Sequence, residues 1–321
     1  MRTGAAAGHH GYFHAALQYA TDDELLAVTV PFLLGGVEAG EPTVVAFGER
    51  TAGLVRAALP AGSGVEFLSG GDAYARPSAT IRSYRRLLAR HVAAGAAQIR
   101  IIGEMPAKAF GNTWDWWARY EAAINHAYDD FPLWSMCAYD SRTTPPGVLA
   151  DVARTHPRFA LPGGGHRVSP AYTEPRTYLS EPRPPVPDPL QAGPPTVTLA
   201  GPTPGEARRA IHAADRGRLP AAEVDDLVVA VSETVTNAVR YGRDPVSLRV
   251  WGGDDRIVVT VTDAGPGPKN PFAGLLPATD SATGGRGLWI THQACNHVAA
   301  APDDRGWTIR MIAGNPAVPA A

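Results

Sequence analysis

A chain of 321 residues is long enough for two ordinary domains, each burying its own core. With 45% hydrophobic and 19% charged residues it reads as a soluble globular protein, which excludes a disordered or membrane-embedded one. A formal charge of −2 supplies no basic field and excludes tight non-specific binding of nucleic acid.

The only cysteines, Cys137 and Cys295, each lie in an apolar run and read as buried free thiols of a reducing compartment. The longest apolar stretch, Leu25 to Val37, is too short to span a bilayer and contains Pro31 and a glycine pair. The N-terminus lacks the basic-then-apolar pattern of a secretory signal. A cytoplasmic protein without a membrane segment is expected.

In chain order, Thr21-Asp22-Asp23-Glu24 is a capping-box pattern, with Thr21 as N-cap and Glu24 reaching back to its amide. The helix it opens runs toward Gly40. Thr43 to Phe47 is read as the first strand, Leu54 to Leu59 as helix and Val65 to Leu68 as strand. Ser78 to Ala94 predicts a longer amphipathic helix, and Ile99 to Ile102 a buried strand ending at Gly103-Glu104. Asn112 can cap a helix through Asp129, and Leu133 to Tyr139 supplies a further strand. Thr144-Pro145 starts a last helix, with proline at its first position. Such alternation predicts an α/β domain, a parallel sheet covered by helices on both faces.

Ten prolines crowd residues 161–195 with no apolar periodicity between them, which reads as a semi-rigid spacer. The domains are accordingly placed at 8–160 and 196–314. In the second, Val197 to Leu199 reads as strand, and Thr203-Pro204-Gly205-Glu206 joins a capping box to a first-turn proline. Pro220 starts a helix whose residues Val224, Leu227, Val228, Val231, Val235 and Ala238 keep one buried face. Ser247 to Val250 and Ile257 to Val261 predict an antiparallel pair, and Trp307 to Ile312 a last strand. Helices on one face of an antiparallel sheet give an α+β layer.

Three motifs in this second domain carry chemistry. Glu233 and Asn237 are four apart on one helix face, off the apolar stripe. A side-chain amide there can hold Mg²⁺ on phosphates, and a carboxylate can deprotonate an attacking group; a solvated polar face is the plainer alternative. Asp263 ends a strand and is followed by Gly265 and Gly267, so it can accept a hydrogen bond from an adenine amino group while the glycines admit a ligand closely. Gly284-Gly285-Arg286-Gly287-Leu288 opens a helix, where backbone amides form a phosphate site.

In this order the three resemble the N, G1 and G2 boxes of the GHKL (Bergerat-fold) ATPases, over about residues 196–312. The compact Ser232 to Gly242 box and the short lid, Pro268 to Thr283, are most similar to bacterial anti-sigma-factor serine/threonine kinases. That resemblance implies ATP and Mg²⁺ as cofactors, Glu233 as catalytic base and Asn237 as Mg²⁺ ligand. It further implies an ATP-binding set of Asn237, Asp263, Gly265, Gly267, Gly284, Gly285, Arg286, Gly287, Leu288 and Thr308. The implied partners are a STAS-type anti-anti-sigma protein, a sigma factor, or both, and the family commonly dimerises. Tyr241 stands where many members have histidine, and Gly306-Trp307-Thr308 replaces Gly-Thr. An ATP-binding module that only sequesters a partner is the alternative. A sensor histidine kinase is a further one, although His212 lacks the usual neighbourhood and no dimerisation helix precedes the domain.

Residues 8–158 resemble the MEDS sensory domain, through His9-His10-Gly11-Tyr12-Phe13, Val30-Pro31-Phe32-Leu33 and Gly40-Glu41-Pro42. The resemblance implies a RecA-like core with a degenerate nucleotide site, sensing a small molecule. Gly48-Glu49-Arg50-Thr51 stands after the first strand read here, with no glycine run and lysine to cradle phosphate. Glu104 is then either a vestige of a Walker-B acid or a ligand contact, and His10 is a second sensory candidate. His9, His10 and His14 raise a metal or haem reading, since 10 and 14 could share a helical turn. No cysteine or acid nearby completes such a set, which favours structural or ligand-contact roles. The aromatics Trp114, Trp116, Trp117 and Tyr120 read as core, interface or ligand cage.

Overall fold

The computed structural model describes residues 1–68, 76–277 and 286–316. It divides into two compact units. The first comprises Met1–Ala75, Ala79–Phe110 and Ala118–Leu179; the second comprises Arg76–Ser78, Gly111–Trp117 and Ser180–Ala321. Among the described residues no helix is long and apolar enough to cross a membrane.

The first unit is built on seven strands: β1 (Phe13–Tyr19), β2 (Thr43–Ala46), β3 (Glu66–Phe67), β4 (Ile99–Glu104), β5 (Leu133–Asp140), β6 (Arg158–Ala160) and β7 (His166–Val168). Their order is β3-β2-β4-β5-β1-β6-β7, parallel from β3 to β6 with only β7 antiparallel. The helices are α1 (Asp22–Glu38), α2 (Glu49–Ala58), α3 (Pro77–Ala93), α4 (Trp114–Ala127), α5 (Pro146–Thr155) and α6 (Pro175–Ser180). One sheet face presents Phe13, Ala15, Leu17, Trp134, Met136 and Ala138 to Leu25, Val28, Phe32 and Leu33 of α1 and to α2. Residues paired with the opposite parity, His14 beside Ser135 and Ala16 beside Cys137, look to the other face.

The first strand of the chain is not Thr43 to Phe47 but β1, and it lies between β5 and β6. Thr21 caps α1 as expected, its Oγ1 accepting from the Glu24 amide at 3.1 Å. Glu24, however, reaches one residue further, accepting from the Ala20 amide at 2.7 Å rather than from Thr21. In α5 the first-turn proline is Pro146, with Pro145 as N-cap.

The stretch read as a spacer is structured. β7 and α6 lie in it, the boundary between the units falls at Leu179–Ser180, and Tyr178 is completely buried. Beyond it Asp188 closes a capping box with Gln191 and pairs with Arg256 at 3.0 Å. Within the segment Ser169, Pro175, Tyr178, Leu179 and Asp188 are buried, whereas residues 181–188 form no regular secondary structure.

The second unit holds a five-stranded antiparallel sheet, β8 (Val197–Ala200), β9 (Ser247–Gly252), β10 (Arg256–Asp263), β11 (His297–Asp303) and β12 (Gly306–Gly314), in the order β11-β12-β10-β9-β8. Against one face lie α7 (Pro204–Asp215) and α8 (Ala221–Tyr241), and α9 (Gly287–Ala294) packs beside α8. Thr203 and Glu206 form the predicted reciprocal box at the start of α7, while Pro220 is the N-cap of α8 rather than its first residue. Leu227, Val231 and Val235 of α8 meet Val259 and Val261 of β10 and Met311 of β12 in a core that includes Trp116, since the first turn of α4, through Trp117, belongs to this unit. Trp117 and Tyr120 are also buried. On the other sheet face Leu190 packs on Trp251, Val258 and Ile312.

Candidate nucleotide site

Three elements of the second unit bring the motif residues to α8. Its apolar stripe faces the sheet, which leaves Glu233 and Asn237 half-buried on a flank of the helix. The first residue of α9 lies against that flank: a Cβ added to Gly287 would come 2.6 Å from Glu233 Oε2 and 2.8 Å from Asn237 Nδ2. Thr234 Oγ1 and Thr291 Oγ1, 3.3 Å apart, tie the two helices together one turn inside this contact. Thus the backbone that begins α9 rests on the two polar side chains, with no room for a side chain of its own.

One and a half turns on, the end of α8 meets the end of β10. Gly242 caps α8, and a Cβ there would lie 2.4 Å from Asp263 Cγ. Asp263 is 8% exposed; its Oδ1 accepts from the amides of Gly265 at 2.7 Å and Arg243 at 3.2 Å. Both bonds fall on one oxygen, so Oδ2, with no hydrogen-bond partner among the described residues, is the acceptor left for a base. Gly267 has φ +76°, and its missing Cβ leaves space filled by the Trp307 ring.

The sequence-predicted set therefore assembles in part. Glu233, Asn237 and Gly287 touch; Asp263, Gly265 and Gly267 form the strand-end loop. Leu288 lies on α9 and Arg286, exposed, precedes it. Gly284, Gly285 and lid residues 278–283 lie outside the described residues. Thr308 goes elsewhere: it pairs across the ladder with Thr262, and its Oγ1 is 2.6 Å from Thr262 Oγ1 and 2.7 Å from Asp303 Oδ2. Neighbouring strand residues point to opposite faces, so Trp307, paired with Asp263, shares the aspartate's side and Thr308 does not. Alternation along Gly306-Trp307-Thr308 was the signal that could have found this.

These residues fit a magnesium nucleotide by their chemistry: an amide and a carboxylate side by side, a helix-start backbone against both, and an acceptor oxygen beyond.

In the first unit, Glu104 stands at the C-terminal end of β4, its Oε1 accepting from the Gly48 amide at 2.8 Å. Burial pushes its carboxyl above the usual range, against the opposing bonds from Gly48 and Thr51. His10 is exposed, before β1. A separate cavity of about 680 Å³ is lined by Val28, Phe32, Trp134, Met136 and Leu161 and by the buried Arg100. Arg100 is already engaged, by Glu41 at 2.6 Å and by the Phe32 carbonyl at 2.7 Å. Neither Glu104 nor His10 lines this cavity.

Residues 13–157 match the family model described as MEDS: MEthanogen/methylotroph, DcmR Sensory domain. Residues 203–313 match the model described as Histidine kinase-like ATPase domain. No curated protein matches the chain. The chain thus carries an N-terminal MEDS sensory domain and a C-terminal histidine-kinase-like ATPase domain.

Proposed function

We propose that this chain is a signal-responsive regulator whose ATPase domain binds Mg·ATP and phosphorylates a serine of an anti-anti-sigma partner, acting as an anti-sigma factor in control of transcription. The observation that carries the reading is the contact of Gly287 with both Glu233 and Asn237. It sets a base, an amide ligand and a helix-start backbone around one point, which phosphoryl transfer needs more than covalent chemistry.

Asn237 would hold the metal, and Mg²⁺ when bound neutralises charge on the phosphates. The Glu233 carboxylate accepts the proton of the serine hydroxyl. Asp263 Oδ2 accepts from the adenine amino group, and the Gly287 amide donates toward phosphate.

In the MEDS domain we place the signal, a small and mostly apolar molecule, in the cavity beside α1, since its walls offer apolar surface. The all-parallel run from β3 to β6, with β1 in its interior, supports a RecA-like core, and Gly48-Glu49-Arg50-Thr51 after β2 supports loss of its nucleotide site.

The test is transfer from γ-labelled ATP to a STAS-type partner. Acid-stable phosphoserine on the partner is expected, and Glu233→Gln should cut its rate by roughly 10²–10⁴-fold while leaving ATP affinity within a few-fold. ATP binding without transfer would replace the kinase reading with that of a partner-holding switch. Acid-labile label on this chain itself would point to a histidine autokinase.

A further inference from the structure

Four ligand-type side chains from four separate stretches converge inside the first unit: His14 on β1, Glu121 on α4, Cys137 on β5, and His156 at the end of α5. One donor atom from each lies within 4.8 Å of all the others. His14 Nε2 is 3.4 Å from Cys137 Sγ and 3.8 Å from Glu121 Oε2. Glu121 Oε2 is 3.5 Å from His156 Nε2 and 3.9 Å from Cys137 Sγ. A tetrahedron built with ordinary zinc–nitrogen, zinc–oxygen and zinc–sulfur bonds has edges of about 3.3–3.7 Å. The four edges given need a contraction of at most a few tenths of an ångström to reach that range, and the two remaining edges, both to His156 and bounded at 4.8 Å, need up to about 1 Å, a rotation of the imidazole ring.

The orientation of each group is fixed from behind. His14 Nδ1 is 3.0 Å from Asn125 Oδ1. The Asn125 amide nitrogen donates to the carbonyls of Glu121, Ala122 and Thr155, so its oxygen is the acceptor and His14 carries its proton on Nδ1. His156 Nδ1 donates to the Val152 carbonyl at 2.9 Å. Each ring therefore turns an Nε2 lone pair into the cluster, the arrangement that outer hydrogen bonds impose on metal-ligating imidazoles. Glu121 Oε1 accepts from the Tyr139 hydroxyl at 3.0 Å, which leaves Oε2 directed inward.

Hydrogen bonding alone leaves this cluster incomplete. His156 is 0% exposed, and its Nε2 has no hydrogen-bond partner among the described residues. Glu121 Oε2 faces it from a distance too long to be a good one. A buried lone pair aimed at a carboxylate and a thiol wants a cation between them.

We propose that His14, Glu121, Cys137 and His156 form a four-ligand site for a divalent transition metal, with zinc the ion that two imidazoles, a thiolate and a carboxylate fit best. The two anionic ligands match the charge of the ion in a dry site. Four protein ligands close the coordination sphere, which makes the site structural, and its burial means that the metal enters as the domain folds.

The test uses the full chain produced with zinc supplied, its metal measured by mass spectrometry, and the same chain reloaded with cobalt. Expected are stoichiometric zinc, a tetrahedral cobalt spectrum, and a sulfur-to-cobalt charge-transfer band. Cys137→Ser should lose that band and Cys295→Ala should keep it. His156→Gln should lower zinc retention against a competing chelator at least tenfold. Substoichiometric zinc with no saturable cobalt spectrum would overturn the site, as would zinc content unchanged in both Cys137→Ser and His156→Gln. If those two variants fail to fold, the wild-type cobalt spectrum decides: without a sulfur band the thiolate is not a ligand and the assignment fails.

Discussion

The two polar constellations of this chain differ in what they ask of water. Glu233 and Asn237 are half-buried on the flank of α8, where an unoccupied polar atom can be solvated at little cost. Glu121, at 1% exposure, and the two imidazoles beside it at 0% have no such recourse, and each polar atom needs a fixed partner. The first arrangement suits a ligand that comes and goes; the second suits one that stays. The same contrast holds for their supports. Gly287 and Gly242 bring bare backbone up to the nucleotide side chains, whereas Asn125, Tyr139 and Val152 bring hydrogen bonds up to the buried ones.

Four experiments sharpen or break this contrast. The largest effect expected is on the buried cluster. Because structural zinc in small folds is worth on the order of 10 kcal/mol, stripping it should lower the unfolding temperature of the chain by many degrees, read by calorimetry and restored by zinc. No change on stripping would put the cluster in the same class as the half-buried one. Next comes Asp263→Asn, which keeps an oxygen for the Gly265 and Arg243 amides but turns the outward acceptor into a donor. ATP should bind at least about tenfold more weakly, a loss of ~1.4 kcal/mol, with the preference over GTP narrowed.

A smaller effect is expected for Gly287→Ala. The new methyl must push Glu233 and Asn237 aside, so Mg·ATP affinity should drop several-fold while the far-ultraviolet circular dichroism stays unchanged. Unaltered affinity would mean that this contact does not shape the pocket. The smallest is Thr308→Val, which loses bonds to Thr262 and Asp303 on the far sheet face. It should cost about 0.5–1.5 kcal/mol of stability in a denaturant titration and leave ATP affinity within twofold.

Much of the second unit was legible because its signals are local. A capping box spans four residues, Glu233 and Asn237 one helical turn, and Asp263 to Gly267 one loop. Thr308 falls on the wrong side because strand parity gives the aspartate's side to Trp307, one residue earlier. In the first unit β1 was missed, since Phe13-His14-Ala15-Ala16-Leu17-Gln18-Tyr19 has no β-branched residue; its interior place in the sheet overrides weak propensity. β11 escaped because three successive alanines follow its one β-branched residue, Val298. That omission hid the cluster. Without β1, the spacing of His10 and His14 reads as one helical turn, whereas the structure sets His14 on a strand. The cysteine and acid found wanting nearby come from Cys137 and Glu121, more than a hundred residues away.

The most direct test of the account is calorimetry of Mg·ATP on the full chain, wild type against Asn237→Ala. Saturable binding that weakens at least tenfold in the variant, with the fold intact, is the predicted result. Binding that is equal in the two proteins, or none in the wild type, would contradict a nucleotide pocket built on α8.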